Sequence, residues 1–563
     1  MSILDTKYQR LGPSLALLTD EAVLAQAWKK TDSDVRRHNW YADILELEQA
    51  SLLLPQKLEA WAAELNSGAA LPETTPARVV LAPKNAKWHF PDKKDGGWRF
   101  KPQLDAAGNE VAQPELRPLA HLTIRDQVLA TAVMLCVADA VESLQGNTDP
   151  SRFANASAAR KHVFSYGNRL FCDWSTGPDG KQQARFRWGN ATTYSQFFKD
   201  YERFLERPAS VCREALPSLQ GHRLYVVKLD LAKFYDCVDQ ARVLDRLKGI
   251  WATYAEQFGA DQAATSEADE NAFWSAAERV LRWSWNADDC KKAGALTMGL
   301  PQGLIASGFL ANAYMHGFDC RVAAELGKEI DVSISGTLPV KLKLLDYCRY
   351  VDDMRLVVAL PIQDAANLAM EHLASGVSDW INRALEAYEG NSCRLITKRE
   401  KSEAVAWEDF AVQGSTSQFM RSVQGQISNA PDPSTLLQAT GSLDHLLWLA
   451  DALNDDAQVD GNSLALSRIA LPKVDVRDDT IRRFAANRLR QVLRTRRSMA
   501  DPELPGADAM SSAEVSELQA LDHEMEAVAR KLVACWSRNP ALVSVLRCGM
   551  DIFPSVELLR PVT

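Results

Sequence analysis

Two adjacent aspartates between two runs of strand-forming residues constrain this chain more than any other feature. The segment 347–358, Tyr-Cys-Arg-Tyr-Val-Asp-Asp-Met-Arg-Leu-Val-Val, has Asp352 and Asp353 at its centre. The aromatic and β-branched residues on either side predict a β-hairpin with both carboxylates at its tip. Neighbouring ionised carboxylates repel each other. Bound divalent metal ions would remove this repulsion and create a phosphoryl-transfer site. A solvated turn is the alternative if nothing else in the sequence matches.

Two further segments favour the metal site. In the segment 224–236, an apolar run ends at Asp230 and is followed by Phe234 and Tyr235, which predicts a buried strand with a carboxylate at its C-terminal end. The segment 300–312 begins Leu-Pro-Gln-Gly and predicts a loop followed by a helix with small residues on one face. Small side chains let a nucleotide or a template strand approach the backbone closely.

In chain order, the segments 224–236, 300–312 and 347–358 resemble motifs A, B and C of reverse transcriptases. The resemblance covers about residues 75 to 410 and is closest to the bacterial abortive-infection and unknown-group enzymes, which are defence-associated reverse transcriptases. It implies an α+β fold, with right-hand polymerase fingers and palm built from an antiparallel sheet with helices, followed by an all-α, helical repeat-like C-terminal domain. The implied domains are an N-terminal helical segment (1–75), fingers (76–215), a palm with motifs A to D (216–425) and an α-helical domain in place of a thumb (430–563).

The resemblance also implies two-metal nucleotidyl transfer on the three carboxylates. Asp230 and Asp352 hold two Mg²⁺ ions, Asp353 supports them, and the backbone carbonyl of Leu231 completes one coordination shell. Oxygen ligands suit Mg²⁺, for which Mn²⁺ can substitute. One ion lowers the pKa of the attacking hydroxyl, and the other stabilises the leaving pyrophosphate.

Three cations resemble residues that handle the triphosphate in this family. Arg117, in an Arg-Pro-Leu context, and Lys84 match the cations of the fingers that neutralise the phosphates. Arg suits this role because its planar fork binds phosphate oxygens bidentately. Lys401 matches the motif D lysine that protonates the leaving pyrophosphate. An ordinary surface cation is the alternative at each position.

The nucleotide pocket is expected to involve Tyr235, Gln302 and Gly303. Tyr235 lies five residues after Asp230, where reverse transcriptases place a bulky gate that clashes with a ribose 2′-OH and so selects deoxynucleotides. Phe234 is the neighbouring aromatic residue and is the alternative core residue. Gln302 and Gly303 are expected to shape the template and nucleotide pocket.

Two groups of arginines are candidates for nucleic-acid contacts. The segment 165–169, Ser-Tyr-Gly-Asn-Arg, resembles a Ser-Tyr-Gly-Phe-Arg segment of bacterial reverse transcriptases, which implies that Arg169 contacts the template; Asn168 departs from the aromatic residue of that pattern. The amphipathic stretch 476–500 concentrates arginine in an acidic protein and predicts a backbone-binding face, with a solvated or subunit-bridging helix as the alternative. Its candidate contacts are Arg483, Arg490, Arg494 and Arg497.

Charge, hydropathy and cysteine content limit how the chain can bind nucleic acid and where it is expected to act. A net charge of −9 excludes nucleic-acid binding over the whole surface and requires a local basic groove. We expect no apolar run long enough to span a bilayer and no signal-peptide core at the N-terminus, and hence no membrane partner. The ten scattered cysteines, with no CxxC pair, predict buried reduced thiols in a cytoplasmic protein.

The sequence leaves several functions open within this frame. A defence enzyme of this kind, acting against phage, uses dNTPs either to copy an associated non-coding RNA into DNA or to extend a protein-linked primer without a template. A retron or group II intron enzyme, an RNA-dependent RNA polymerase and a non-catalytic nucleic-acid-binding scaffold are the alternatives. The relatives also lead us to expect a homo-oligomer.

Overall fold

The computed structural model describes most of the chain. The described residues are 8, 11–38, 40–84, 88–89, 99–100, 103–104, 110–111, 115–153, 155–177, 180–195, 197–259, 266–293, 296, 299–333, 340–365, 368–390, 393–413, 415–428, 432–452, 476–499, 512–539, 542–554 and 556.

The chain divides into two compact units, which interleave along the sequence. The first unit consists of Met1–Leu81 and Pro118–Trp407, and the second of Ala82–Arg117 and Glu408–Thr563. The four domains that the sequence suggests stay a prediction.

Helices account for most of the described residues. Their bounds are α1 Leu15–Leu18, α2 Glu21–Arg37, α3 Ile44–Leu52, α4 Leu54–Asn66, α5 Ile124–Gln145, α6 Ala156–Arg160, α7 Phe197–Ala215, α8 Phe234–Cys237, α9 Gln240–Phe258, α10 Glu267–Val280, α11 Ala287–Ala293, α12 Ser307–Ala323, α13 Ile362–Ala365, α14 Met370–Glu389, α15 Trp407–Gln413, α16 Ser415–Ser428, α17 Pro433–Ala452, α18 Asp478–Ser498, α19 Ser512–Arg538 and α20 Val543–Ile552.

The strands form small antiparallel sheets and one larger sheet. Their bounds are β1 Arg78–Lys84, β2 Trp88–His89, β3 Arg99–Phe100, β4 Gln103–Leu104, β5 Glu110–Val111, β6 Glu115–His121, β7 Cys172–Thr176, β8 Gln182–Phe186, β9 His222–Asp230, β10 Glu329–Val332, β11 Val340–Tyr350, β12 Asp353–Pro361 and β13 Glu403–Ala406.

The larger sheet positions the aspartates. Its strand order is β10-β11-β12-β9-β13, and every neighbouring pair is antiparallel. Every residue of β12 from Met354 to Leu360 is buried, as in a strand covered on both faces. Helices α7, α12 and α14 pack on the strands of this sheet. The mixed helix and antiparallel sheet expected from the sequence is therefore confirmed, whereas the right-hand polymerase arrangement stays a prediction.

Helix α5 is the central core helix of the first unit. It begins after Thr123, whose side chain accepts a hydrogen bond from the amide of Asp126, and ends at Gly146, where φ is +76°. The helix is long and apolar enough to cross a membrane, which corrects the expectation that the chain has no such run. Of its most apolar 18-residue window, 89% is buried inside the fold, as in the core helix of a globular protein.

The helices α16 to α20 of the second unit pack on one another. Helix α17 packs against α16, α18 and α19, and α20 packs against α18 and α19. Leu443, Leu489 and Leu521 are among the fully buried residues of this cluster. The amphipathic stretch 476–500 corresponds to α18, Asp478–Ser498.

Candidate active site

The register of the large sheet brings two of the predicted carboxylates face to face. Asp353, the first residue of β12, is the direct cross-strand partner of Asp230, the last residue of β9. Directly opposed residues in antiparallel strands have Cα atoms roughly 4.5–5.5 Å apart. Asp352 precedes Asp353 in the hairpin turn, and its carbonyl accepts a hydrogen bond of 3.1 Å from the amide of Leu231. The three aspartates and Leu231 therefore meet at one end of the sheet.

The turn that carries Asp352 is strained. Tyr350 pairs with Asp353, so the hairpin loop consists of Val351 and Asp352 alone. Val351 has φ of +58°, a conformation that a β-branched residue rarely adopts. Gly167 packs so closely against this turn that a Cβ on it would lie 2.7 Å from the amide nitrogen of Val351. Such strain persists where surrounding contacts hold the backbone, and it is typical of functional sites.

A buried arginine supplies one of these contacts. The Arg349 guanidinium donates a hydrogen bond of 2.9 Å to the carbonyl of Val351 and binds both carboxylate oxygens of Asp319, at 3.0 and 2.8 Å. Tyr347 also donates to Asp319, at 2.8 Å. Arg349 is completely buried and Asp319 is 2% exposed. This ion pair therefore anchors the turn from inside the protein.

Lys401, also predicted at this centre, lies on the segment after α14. Backbone hydrogen bonds run from Lys398 to the carbonyl of Asp230 at 2.7 Å and from Ala232 to the carbonyl of Ile396 at 2.8 Å. This pairing places Lys401 beside Asp230, where its ammonium group lies 2.9 Å from a carboxylate oxygen. Asp230 is 7% exposed, so its charge is largely withdrawn from water.

The donor chemistry of this centre fits a hard divalent cation. Asp230 and Asp353 offer carboxylate oxygens across a strand pair, with Asp352 next in the chain, and oxygen ligands are those that Mg²⁺ prefers. Within the described residues, no three His, Cys, Asp or Glu side chains already form a metal-holding group. Lys401 instead neutralises one oxygen of Asp230 in this structure.

The loop of the second motif is built around Gly303. Its φ is +144°, and a Cβ at this position would lie 2.0 Å from the carbonyl oxygen of Ala120. The adjoining Gln302 carbonyl accepts a hydrogen bond of 2.8 Å from the amide of Ala120. Glycine is therefore required here for both its backbone freedom and its lack of a side chain. Gln302 itself is partly exposed beside this contact.

We expect Gly303→Ala to destabilise the protein by at least ~3 kcal/mol, because it adds backbone strain and a collision with a carbonyl oxygen. Denaturant unfolding measures this loss. Gly327→Ala is the matched control: φ is +82° there, but no atom lies within 4 Å of the added Cβ. The control should lose only about 1–2 kcal/mol. Equal losses in the two variants would show that the contact with Ala120 does not constrain the loop.

Tyr235 is fixed at both of its ends. Its carbonyl accepts a hydrogen bond of 2.8 Å from the amide of Leu300, and its hydroxyl accepts one of 2.9 Å from the side-chain amide of Asn168. Burial is the main cause that raises the pKa of the Tyr235 hydroxyl, followed by the negative charge of Asp352. The adjacent Phe234 is a buried core residue, so Tyr235 is the aromatic residue of this pair that is available to the site.

Arg169 does not occupy the position expected of a template contact. It is 3% exposed and forms an ion pair with Glu142 at 2.8 Å. Its guanidinium also donates to the carbonyls of Ser165 and Gly146. A buried guanidinium with three internal partners stabilises the loop before it and does not reach a nucleic acid, which corrects the prediction for Arg169.

Lys84 and Arg117 belong to the second compact unit, whereas the aspartates lie in the first. Arg117 is exposed on β6. Lys84 is the last residue of β1, and its side chain lies outside the described residues. Their roles at the triphosphate stay predictions.

The arginines of α18 share one face of the helix. Arg483, Arg490, Arg494 and Arg497 are spaced by seven, four and three residues, which places them on a common stripe. Arg483, Arg494 and Arg497 are exposed, and Arg490 is partly exposed in an ion pair of 2.9 Å with Asp551. The stripe is open to solvent, and its role in nucleic-acid binding stays a prediction.

Two residues that position parts of the site were not predicted from the sequence. Gln127, in the apolar helix α5, donates to the carbonyl of Gly303 at 2.6 Å and accepts from the amide of Ile305 at 3.1 Å. Asn382 on α14 accepts two hydrogen bonds from Thr397 and so aligns the segment that leads to Lys401. A polar residue inside a long apolar run is the signal that singles out Gln127; Asn382 carries no comparable signal.

Comparisons with known proteins do not identify the family of this chain. No protein-family model matches it, and no curated protein matches it. Among solved structures, it is similar to apo telomerase from Candida tropicalis, with a TM-score of 0.30, 10% identity and coverage of 87% of this chain and 68% of that one. Telomerase from Candida albicans in complex with a fragment of telomeric RNA gives a TM-score of 0.22 and 12% identity. That match covers 64% of this chain and 51%, about half, of the telomerase. At such scores these likenesses establish neither fold nor function.

Proposed function

We propose that the chain is a DNA polymerase of the reverse-transcriptase class. The observation that carries the proposal is the cross-strand pairing of Asp230 with Asp353 beside the strained turn of Asp352. Natural folds rarely bring carboxylates together without a cation to neutralise them. The chemistry that best explains such a cluster beside a glycine loop and a fixed tyrosine is metal-assisted nucleotidyl transfer.

Each residue of the centre has a proposed part in this reaction. Asp230, Asp352 and Asp353, with the carbonyl of Leu231, would hold Mg²⁺ or Mn²⁺, which when bound neutralises phosphate charge and acidifies the attacking hydroxyl. The rigid loop of Gln302 and Gly303 would give the nucleotide and template a close approach to the backbone.

Three further residues would handle the nucleotide itself. The ring of Tyr235 would exclude a ribose 2′-OH and so favour dNTPs. Lys401 would leave Asp230 when the cation binds and donate a proton to the departing pyrophosphate. Arg117, and Lys84 with it, would neutralise the charge of the triphosphate.

The finer assignment rests on the sequence motifs. We propose that the enzyme belongs with the bacterial defence-associated reverse transcriptases and acts in the cytoplasm against phage. Its partners would be an RNA template, such as an associated non-coding RNA, and a DNA product, with a protein hydroxyl as the alternative primer. The arginine stripe of α18 would bind the phosphate backbone, and the chain would act as a homo-oligomer.

Nucleotide incorporation tests the proposed function. The purified chain is incubated with MgCl₂, a labelled dNTP and poly(rA) primed with oligo(dT), and in parallel without added template. Extension of the primer supports an RNA-directed DNA polymerase. Label that stays with the protein through phenol extraction until protease is added supports template-independent synthesis on a protein primer. If a correctly folded protein gives no labelled product in either reaction, the proposal is contradicted.

A separate prediction concerns the contact of Lys401 with Asp230. We expect Lys401→Met to bind Mn²⁺ about three- to tenfold more tightly, because the cation no longer competes with an ammonium group for Asp230. The effect is limited because Lys401 is 38% exposed and its charge is screened by solvent. Turnover should fall in the same variant, since the proton donor is lost.

Electron paramagnetic resonance of free Mn²⁺ measures this affinity without reference to activity. Lys398→Met is the matched control, because the Lys398 side chain lies near Glu400 at 3.8 Å. Unchanged or weaker Mn²⁺ binding in Lys401→Met would contradict competition at Asp230.

A further inference from the structure

Asn168 connects Tyr235 with helix α12. Its side-chain amide donates to the hydroxyl of Tyr235 at 2.9 Å, and its carbonyl accepts from the side chain of Asn312 on α12 at 3.2 Å. Gly308 lies against it, since a Cβ at that position would be 2.8 Å from Cγ of Asn168. Its φ of +51° is a conformation that Asn tolerates better than most residues. The side chain is therefore held in one place.

The backbone of Tyr235 is held just as firmly at the opposite end. Gly299 approaches so closely that a Cβ there would lie 2.1 Å from the Tyr235 carbonyl oxygen. The amide of Leu300 donates to the same oxygen at 2.8 Å. A tyrosine fixed only by its backbone can still move its ring between rotamers. With the hydroxyl bound to Asn168, both ends of the side chain are fixed.

We propose that Asn168 is a positioning residue that sets the discrimination between deoxyribonucleotides and ribonucleotides. The inference rests on the proposed polymerase function and deepens it. By binding the hydroxyl of Tyr235, Asn168 prevents the ring from moving aside when a 2′-OH approaches. Loss of this single hydrogen bond relaxes the exclusion of ribonucleotides and leaves the metal centre in place.

The chemistry of the hydroxyl supports a persistent contact. Burial, and then the charge of Asp352, raise the pKa of Tyr235. A phenol whose ordinary pKa of about 10 is raised by burial stays protonated throughout the neutral pH range. A neutral hydroxyl and a neutral amide keep their hydrogen bond across that whole range.

The test compares dUTP with UTP, which differ only in the 2′-OH, on primed poly(rA). Four proteins are compared: the wild type, Asn168→Gly, Tyr235→Phe and the double variant. Glycine accepts the positive φ of position 168 without strain, so the backbone contact with Asn312 is kept. Asn271→Gly, on the exposed side of α10, is the control for a similar loss of stability at a distant position.

Asn168→Gly should lower the ratio of kcat/KM for dUTP to that for UTP by about five- to tenfold, mainly through a lower KM for UTP. Tyr235→Phe should lower it by a similar factor, and the double variant should lose no more than either. The Tyr235→Phe comparison stands alone if Asn168→Gly does not fold.

Other results would overturn the inference. An equal fall for dUTP and UTP in Asn168→Gly would mean a structural role alone, as would a further loss when it is added to Tyr235→Phe. An unchanged ratio in Tyr235→Phe would also exclude the proposed role. Incorporation of neither nucleotide by the wild type would instead overturn the proposed function, and this inference with it.

Discussion

Asp353→Asn is expected to lower dNTP incorporation at least ~1,000-fold while the protein stays folded. The substitution keeps the size of the side chain but removes the charge that faces Asp230 across the strand pair. Loss of one of two opposed carboxylates relieves repulsion, so stability should not fall. Steady-state incorporation and denaturant unfolding, measured on the same preparation, separate the two effects.

Asp230→Asn should be as inactive as Asp353→Asn, and the double variant should be little worse than either, because groups that act as a unit are not additive. Asp245→Asn, on the exposed side of α9, is the matched control and should keep full activity. Retention of more than about a tenth of wild-type activity in Asp353→Asn would contradict the role of the pair in catalysis.

The second large effect concerns stability. Arg349→Met is expected to cost about 3–5 kcal/mol of unfolding free energy, because it leaves Asp319 buried without its partner. Arg349 is completely buried and binds both oxygens of that carboxylate. The same change removes the hydrogen bond to the carbonyl of Val351, so the turn of Asp352 loses its anchor and activity should fall as well.

Replacement of both partners separates stability from function. Arg349→Met combined with Asp319→Leu should recover part of the lost stability, because apolar groups can substitute for a buried ion pair. Tyr347 loses its acceptor in this variant, so the recovery should be incomplete. Activity should stay low, because the anchor on Val351 is still missing. Full recovery of activity would mean that Arg349 serves stability alone.

The local structure of the site was largely predictable from the sequence. Aromatic and β-branched residues on either side of the two aspartates predicted the hairpin of β11 and β12, and the apolar run before Asp230 predicted β9. Proline and glycine predicted the loop before α12. These signals work because they report backbone preferences and burial within a few residues.

Contacts between residues that are far apart in the sequence could not be predicted in this way. The register that sets Asp353 opposite Asp230 depends on how two distant strands pair. Arg169 was predicted to contact the template, but it forms a buried ion pair with Glu142, 27 residues away in the chain. Local sequence does not reveal such a partner. The contact of Asn168 with Tyr235 spans 67 residues and depends on a left-handed backbone position that sequence pattern alone does not mark.

The central claim is that Asp230 and Asp353 hold a catalytic divalent cation. Anomalous X-ray diffraction from crystals soaked with Mn²⁺ and a non-hydrolysable dNTP analogue tests it most directly. We predict anomalous density between the two carboxylates, with Lys401 moved away from Asp230. Density at other sites only, with the bond between Lys401 and Asp230 intact, would contradict the claim.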